Sequence, residues 1–182
     1  MKITETSIKG LMIIEPKIFT DSRGYFFESY SKAKFTEAGI NINFVQDNQS
    51  CSNKGTIRAL HAQSAPHAQT KLVRVIQGRV LDVAVDARKD SPTYGKYETI
   101  ELSSDNQKQF LIPQGFLHGF ATLEDNTIFA YKVDNYYSKE CEVGIRWNDP
   151  TLAIDWGIPE QEAIISDKDQ ILPLFADLVS PF

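Results

Sequence analysis

The sequence predicts a mainly β protein, an antiparallel sandwich or jelly roll with a few short helices. Three observations predict it. Short runs rich in Val, Ile, Phe, Tyr and Thr recur along the chain, clusters of Gly, Pro, Asn and Asp separate them, and helical periodicity is scarce. Many short strands at this spacing form two packed antiparallel sheets. No repeat, low-complexity tract or linker divides the chain, so residues 1–182 read as one domain, with a segment from about 150 to 182 packing on its body.

Taken in order, Gly10–Pro16 reads as a strand ended by proline, and Asp21–Gly24 as a turn. Tyr25–Tyr30 is aromatic enough for a strand. Ser31–Ala38 carries the clearest helix signal, with Ser31 as cap, Phe35 facing inward and Gly39 at the left-handed end. Ile40–Gln46 returns to strand character before a polar connection, Asp47–Lys54. The central stretch Gly55–Asp86 opens with a strand bearing Arg58 and His61. A proline-interrupted loop follows, and then the runs Lys71–Ile76 and Arg79–Asp86 meet across Gln77-Gly78.

Arg88–Gly95 is a loop by its Ser-Pro and Gly content. Tyr97–Leu102 alternates, Ser103–Asn106 turns and Gln109–Ile112 is a strand. Pro113–Phe120 forms a glycine-rich corner leading into the next strand, and Thr127–Val133 alternates again. Beyond Trp147 the pattern weakens, with a helical tail expected near Asp169–Leu178.

Composition excludes several classes of partner. A net charge of -5 argues against a general nucleic-acid or anionic-membrane binder. No apolar run approaches the roughly 20 residues that span a bilayer. The start, MKITETSIKG, has no apolar signal core, which sets a cytoplasmic location as the expectation. Cys51 and Cys141 lack metal or redox spacing and are expected as separate thiols, buried or half-buried.

Arg58, His61, Lys71, Arg74, Asp82 and Asp86 are threaded through otherwise apolar strands. A polar cavity between the sheets accounts for this pattern, and so does a plain solvent face. Arg23, Arg58, Lys71 and Arg74 suit a phosphorylated ligand, because guanidinium forks match phosphate oxygens. No phosphate-binding glycine motif is present, so side chains would have to grip any nucleotide. The three histidines His61, His67 and His118 suit proton transfer or metal ligation. The His-x-His pair with a following Glu that marks metal-binding jelly rolls is absent, and His67 lies in a loop expected to be exposed. Tyr131, Tyr136 and Tyr137 suit packing, proton donation or base stacking.

Several motifs, in order, resemble one family. They are Asp21-Ser-Arg-Gly-Tyr-Phe-Phe-Glu28, Gln46-Asp-Asn48 with Ser50 and Ser52, Ile57-Arg-Ala-Leu-His61, and Gln69-Thr-Lys-Leu-Val-Arg-Val75. Asp82-Val-Ala-Val-Asp86, Ser91-Pro-Thr-Tyr-Gly95, Ile112-Pro-Gln-Gly-Phe-Leu-His-Gly-Phe120, Tyr131-Lys132 and Ile165-Ser-Asp-Lys-Asp169 complete the set. Together they are similar to the dTDP-4-dehydrorhamnose 3,5-epimerase family.

The resemblance implies a cupin-like jelly roll, a homodimer with a shared active site, and no metal or organic cofactor. The implied substrate is a dTDP-4-keto-6-deoxyhexose, epimerised at C-3 and C-5. By motif position, His61 is the implied base with Asp169 behind it, Tyr131 the acid, and Lys71 the cation at the oxyanion. His118 takes a supporting place at the substrate. Arg23 and Arg58 would hold the diphosphate. Glu28, Gln46 and Asn48 would address the nucleoside, with Phe26 and Tyr137 stacking on thymine. The Arg23–Glu28 strand would reach into a neighbouring subunit's site.

Two positions depart from the family pattern. Ala59 stands where a glycine is usual, and Ala62 where an aromatic is usual; altered efficiency or specificity is the expectation. Strict alternation also puts Arg58 and His61 on opposite faces, so a shared pocket requires a bulge between them. Three other readings stay open: an epimerase acting at one carbon only, a metal-dependent cupin using His61, His67 and His118, and a silent sugar-nucleotide binder.

Overall fold

A computed structural model describes residues 1–182. The chain runs β1 (Lys2–Glu5), β2 (Met12–Glu15), a small hairpin of β3 (Phe19–Asp21) and β4 (Gly24–Phe26), helix α1 (Lys32–Glu37) and β5 (Gln46–Ser52). Next come β6 (Ile57–Gln63), β7 (Lys71–Gln77), β8 (Arg79–Asp86), β9 (Tyr97–Ser103), β10 (Gln109–Ile112), β11 (Phe116–Thr122) and β12 (Thr127–Val133). The short β13 (Glu142–Gly144) and helix α2 (Asp167–Gln170) complete it. All named strand pairings are antiparallel. One sheet has the order β1-β2-β10-β7-β12-β5, the other β13-β6-β11-β8-β9, giving a jelly-roll sandwich.

Alternation along the strands sorts the core into three layers. Val73 and Val75 of β7, Val80 and Ala84 of β8, Phe120 of β11 and Phe129 of β12 meet between the sheets. Val83 and Val85 point the other way, under a cover made by Leu152, Trp156 and Phe175 of the C-terminal segment. Phe35 of α1 and Ile40 cover Ile14, Leu72 and Leu111 on the outer face of the six-stranded sheet. Each fully buried Phe or Leu contributes on the order of 2–3 kcal/mol of transfer free energy.

Most strands fall where the sequence places them; the exceptions have physical causes. Most of Asp47–Lys54, expected as a connection, belongs to the edge strand β5, paired along its whole length with β12. Ile40, Ile42 and Phe44, expected in a strand, instead cap the outer-face core around α1. Ladder pairing has overridden local propensity at both places. The strand expected at Tyr25–Tyr30 shrinks to the end of the β3–β4 hairpin. Ser31 precedes α1 in extended conformation, but its side chain makes no capping bond. The expected helical tail is only α2 and a separate turn at Phe175–Asp177.

Arg58 and His61 share a face because β6 is bulged. Against β11, His61 pairs with His118 and Arg58 with Phe120, so two residues of β6 stand opposite Gly119. The bulged stretch contains a cis peptide bond, Ala59–Leu60. A Cβ on Gly119 would lie 2.4 Å from the Cβ of Ala59. The methyl of Ala59 is thus seated in the core against a glycine, away from the space between the sheets.

Asp86, at the end of β8, is fully buried. Its carboxylate accepts from Arg88 Nε at 2.8 Å and Nη2 at 2.7 Å, and from the hydroxyls of Ser91 and Thr93, each at 2.6 Å. Burial alone would raise its pKa, but these donors outweigh it and hold the group at about 2. A depressed carboxylate pKa stabilises the fold above its unfolded value, and that contribution fades as pH falls through the folded value. Asp86→Asn should cost about 2–4 kcal/mol in urea unfolding at pH 7. The difference between wild type and variant should shrink below about pH 4. A pH-independent difference would refute this account.

Candidate active site

An open cavity of about 680 Å³ lies between the two sheets, where β5 faces β6 and the C-terminal segment. Its wall is assembled from β6 (Arg58, His61), β7 (Lys71), β11 (His118), β12 (Tyr131), the loop at Tyr137, β13 (Glu142) and α2 (Lys168, Asp169). Seven predicted site residues therefore converge: His61, Lys71, Tyr131, Asp169, Arg58, His118 and Tyr137.

His61 Nε2 lies 2.7 Å from Asp169 Oδ1. Asp169 is 5% exposed. Burial raises its pKa, yet the His61 hydrogen bond and charge, the Ser166 contact and Lys168 together lower it below the ordinary carboxylate value. The pair therefore holds a carboxylate against the imidazole, the arrangement that orients a histidine and stabilises its protonated form.

Asp169 sits far from β6 in sequence, so its delivery depends on how the C-terminal segment docks. Ile57 N–H donates to Ile164 C=O at 3.1 Å, and Ile164 N–H donates to Gly55 C=O at 2.8 Å. Ser166 then caps α2 by accepting from Asp169 N–H. Gly55 has φ +88°, and a Cβ there would stand 2.6 Å from Glu162 O. Gly144 plays a similar part, since a Cβ would meet Leu60 O at 2.9 Å and the His61 ring at 3.3 Å.

Lys71 Nζ donates to His61 C=O at 3.2 Å. Desolvation lowers its pKa to about 8, against the opposing pull of Asp82 and Glu142, so the ammonium stays mostly protonated at neutral pH. Burial raises the Tyr131 pKa, while Arg58 nearby lowers it; the net rise keeps the phenol protonated. Arg58 Nε donates to Ser52 Oγ at 3.2 Å. Buried His118 contacts both oxygens of Asp82 through Nε2 at 3.0 Å.

The other five predicted residues do not line the cavity. Gln46 and Asn48 sit just beyond it on β5, bonded to each other at 2.9 Å. Arg23, Phe26 and Glu28 lie on or beside the β3–β4 hairpin, which forms its own two-stranded sheet. Arg23 pairs with Asp21, Glu28 with Lys34, and Phe26 is 65% exposed. Arg74, a candidate for a phosphorylated ligand, points to the outer face of the six-stranded sheet, beside Ser29, Gln109 and Lys132, and does not join Arg58 and Lys71 in the cavity. Cys51, expected to be at least half-buried, is exposed on the edge strand; Cys141 is half-buried, and both are free.

Sequence reading missed Glu142, Lys168 and Asp82. Glu142 accepts from Lys168 Nζ and, at 3.3 Å, from Tyr137 OH, closing one rim of the cavity. Its strand is only three residues long and exists through pairing with β6, so no local pattern announced it. Asp82 had a signal, a charge inside an apolar run, but not a partner. Ala62 lines the cavity, whereas Ala59 does not. Nor do the histidines converge as a metal site: His67 lies outside the wall, and no group of three or more His, Cys, Asp or Glu side chains could hold an ion.

A cupin-like jelly roll whose cavity brings together a histidine–carboxylate pair, a protonated phenol and a buried lysine defines an enzyme of the proton-transfer class. A family model described as dTDP-4-dehydrorhamnose 3,5-epimerase matches residues 5–177, and the chain belongs to that family. A dTDP-4-dehydrorhamnose 3,5-epimerase of Shigella flexneri is 50% identical over 170 residues, 93% of each chain. The crystal structure of one from Elizabethkingia anophelis NUHP1 superposes with a TM-score of 0.92 at 51% identity, covering 97% of both chains. A dTDP-6-deoxy-D-glucose-3,5-epimerase from Legionella pneumophila Philadelphia 1, solved with dTDP-4-keto-L-rhamnose, gives 0.93 at 48% identity, covering 97% of this chain and 94% of that one.

The docking of Asp169 generates a prediction. Gly55→Ala should destabilise the fold by about 1–3 kcal/mol, through the positive φ and the clash with Glu162. The Ile164 amide should exchange with deuterium faster than neighbouring core amides in the variant. Unchanged Ile164 protection would mean the C-terminal segment is held elsewhere.

Proposed function

We propose that this chain epimerises dTDP-4-dehydro-6-deoxy-D-glucose at C-3 and C-5, yielding dTDP-4-dehydro-L-rhamnose. The observation that carries the reading is the His61–Asp169 pair sharing one cavity with Lys71 and Tyr131, in a chain of this family. The 4-keto group acidifies the hydrogens on both neighbouring carbons. With Nε2 engaged by Asp169, His61 Nδ1 takes such a proton, and Asp169 stabilises the imidazolium that forms. The Lys71 ammonium offsets the negative charge that develops on the keto oxygen. Tyr131, held protonated, returns a proton to the opposite face of the ring. On this reading the side chains alone supply the chemistry, without metal or organic cofactor.

Arg58 is assigned to the diphosphate, His118 to the sugar, Tyr137 to stacking on thymine, and Gln46 and Asn48 to the nucleoside. Arg23, Phe26 and Glu28 are assigned to the site of a second copy in a homodimer. The support is that this hairpin stands clear of its own cavity with Phe19, Tyr25 and Phe26 each more than half exposed. The proposed setting is the cytoplasm, where Cys51 and Cys141 would stay reduced; no helix is long and apolar enough to cross a membrane. Among the departures from the family pattern, only Ala62 touches the cavity, so it is the residue on which a single-carbon activity would have to depend.

The decisive experiment incubates the protein with dTDP-4-keto-6-deoxy-D-glucose in deuterated water and follows the sugar hydrogens by proton NMR. Exchange at C-3 and C-5 is expected, and His61→Ala should abolish both while still binding dTDP. Exchange at one carbon only, or at neither, would overturn the double-epimerase reading.

The shared site has its own test. Arg23→Ala and His61→Ala proteins, each with little activity, should recover about a quarter of wild-type turnover after subunit exchange, because half the random dimers hold one intact site. Absence of recovery despite mixed dimers would place Arg23 outside the neighbouring site.

A further inference from the structure

Asp82 is a carboxylate with no exposed surface, set on the inward face of β8 between Val80 and Ala84. The one hydrogen-bond partner of its side chain is His118 Nε2, 3.0 Å from both oxygens. A carboxylate sealed in a core with a single partner costs stability, and an apolar residue of similar size would pack there without that penalty. Asp82 does not line the cavity, but His118 does. The His118 ring packs nearly parallel to Phe129, centroids 6.2 Å apart, and its Cα is paired across strands with that of His61. Its other nitrogen, Nδ1, makes no hydrogen bond within the chain and is not among the buried unpaired atoms, so it is presented to the cavity.

We propose that Asp82 is a positioning residue that fixes His118 as its Nε2–H tautomer, so that Nδ1 meets the substrate as a hydrogen-bond acceptor for a hexose hydroxyl. The inference rests on the sugar-nucleotide reading above and adds to it the residue that sets the polarity of the sugar contact. Burial raises the Asp82 pKa, while the charge and hydrogen bond of His118 and the charge of Lys71 pull it down. As a carboxylate Asp82 only accepts hydrogen bonds, so Nε2 carries the hydrogen and Nδ1 presents its lone pair. The ionisable groups acting on the ring are Asp82, Lys71 and His61. Burial first, then Lys71 and His61, lower the His118 pKa against the pull of Asp82, which favours the neutral ring at neutral pH. A neutral acceptor held among a lysine and a second histidine selects a hydroxyl donor over an anionic oxygen. Such a contact discriminates strongly against an analogue that lacks the hydroxyl, because the nitrogen, cut off from water by the bound sugar, would then go unpaired.

The test measures the tautomer directly. Two-bond proton–nitrogen correlation spectra of the 15N-labelled wild-type protein should show His118 with Nε2 protonated and Nδ1 bare. Nδ1–H in the wild type overturns the proposal, and this readout needs neither substrate nor a variant that folds. In Asp82→Asn the amide can donate as well as accept, so the Nδ1–H form should appear and kcat/KM should fall by at least about tenfold. In a His118→Asn background the same substitution should cost less than about twofold, since Asp82 would have nothing left to position. An equal loss in both backgrounds overturns the proposal, because Asp82 would then act by another route. Wild-type protein that exchanges no sugar hydrogen refutes the epimerase reading instead, leaving the tautomer result to stand alone.

Discussion

Ionised groups between two packed sheets lose the solvation that water gives them, so each inward charge in this barrel persists only beside a partner. Asp86 has Arg88, Ser91 and Thr93; Asp82 has His118; Asp169 has His61. Lys71 finds a backbone carbonyl and two carboxylates at longer range. The same desolvation that makes these groups costly moves their pKa values, holding Lys71 at about 8 and keeping Tyr131 protonated. Chemistry and stability here draw on one physical effect.

The bulge in β6 makes that arrangement possible. A regular strand would send Arg58 and His61 to opposite faces, one into the cavity and one toward the C-terminal cover. The extra residue turns both inward, and Gly119 leaves room for Ala59 behind them. Gly55 and Gly144 do comparable service by letting other backbone close on β6 and the His61 ring. Three glycines thus decide where an imidazole and its carboxylate meet.

Much of this was legible in the residues. The period of two in Tyr97–Leu102 and Thr127–Val133 declared strands, because one face of each is more deeply buried than the other. His61, Lys71, Tyr131 and Asp169 were reachable through motif resemblance and stand in one cavity. Glu142 lies in no motif, and Lys168, although inside the Ile165–Asp169 motif, showed no partner, since their contact forms only when β13 and α2 fold over β6. Arg74 misled, because charge in an apolar strand does not reveal which side of the sheet it faces.

The sequence by itself determined the sheet-forming segments, the absence of long helices and the residue types available for proton transfer, because these depend on local pattern and composition. Tertiary structure alone decided that polar Gln46–Ser52 is a strand, that Arg58 and His61 share a face, and that Asp82 stands behind His118. Those outcomes depend on pairing and register across more than thirty residues of separation, or on one inserted residue in a ladder. Such information is not held by any segment alone; it exists only once the two sheets close around their charges.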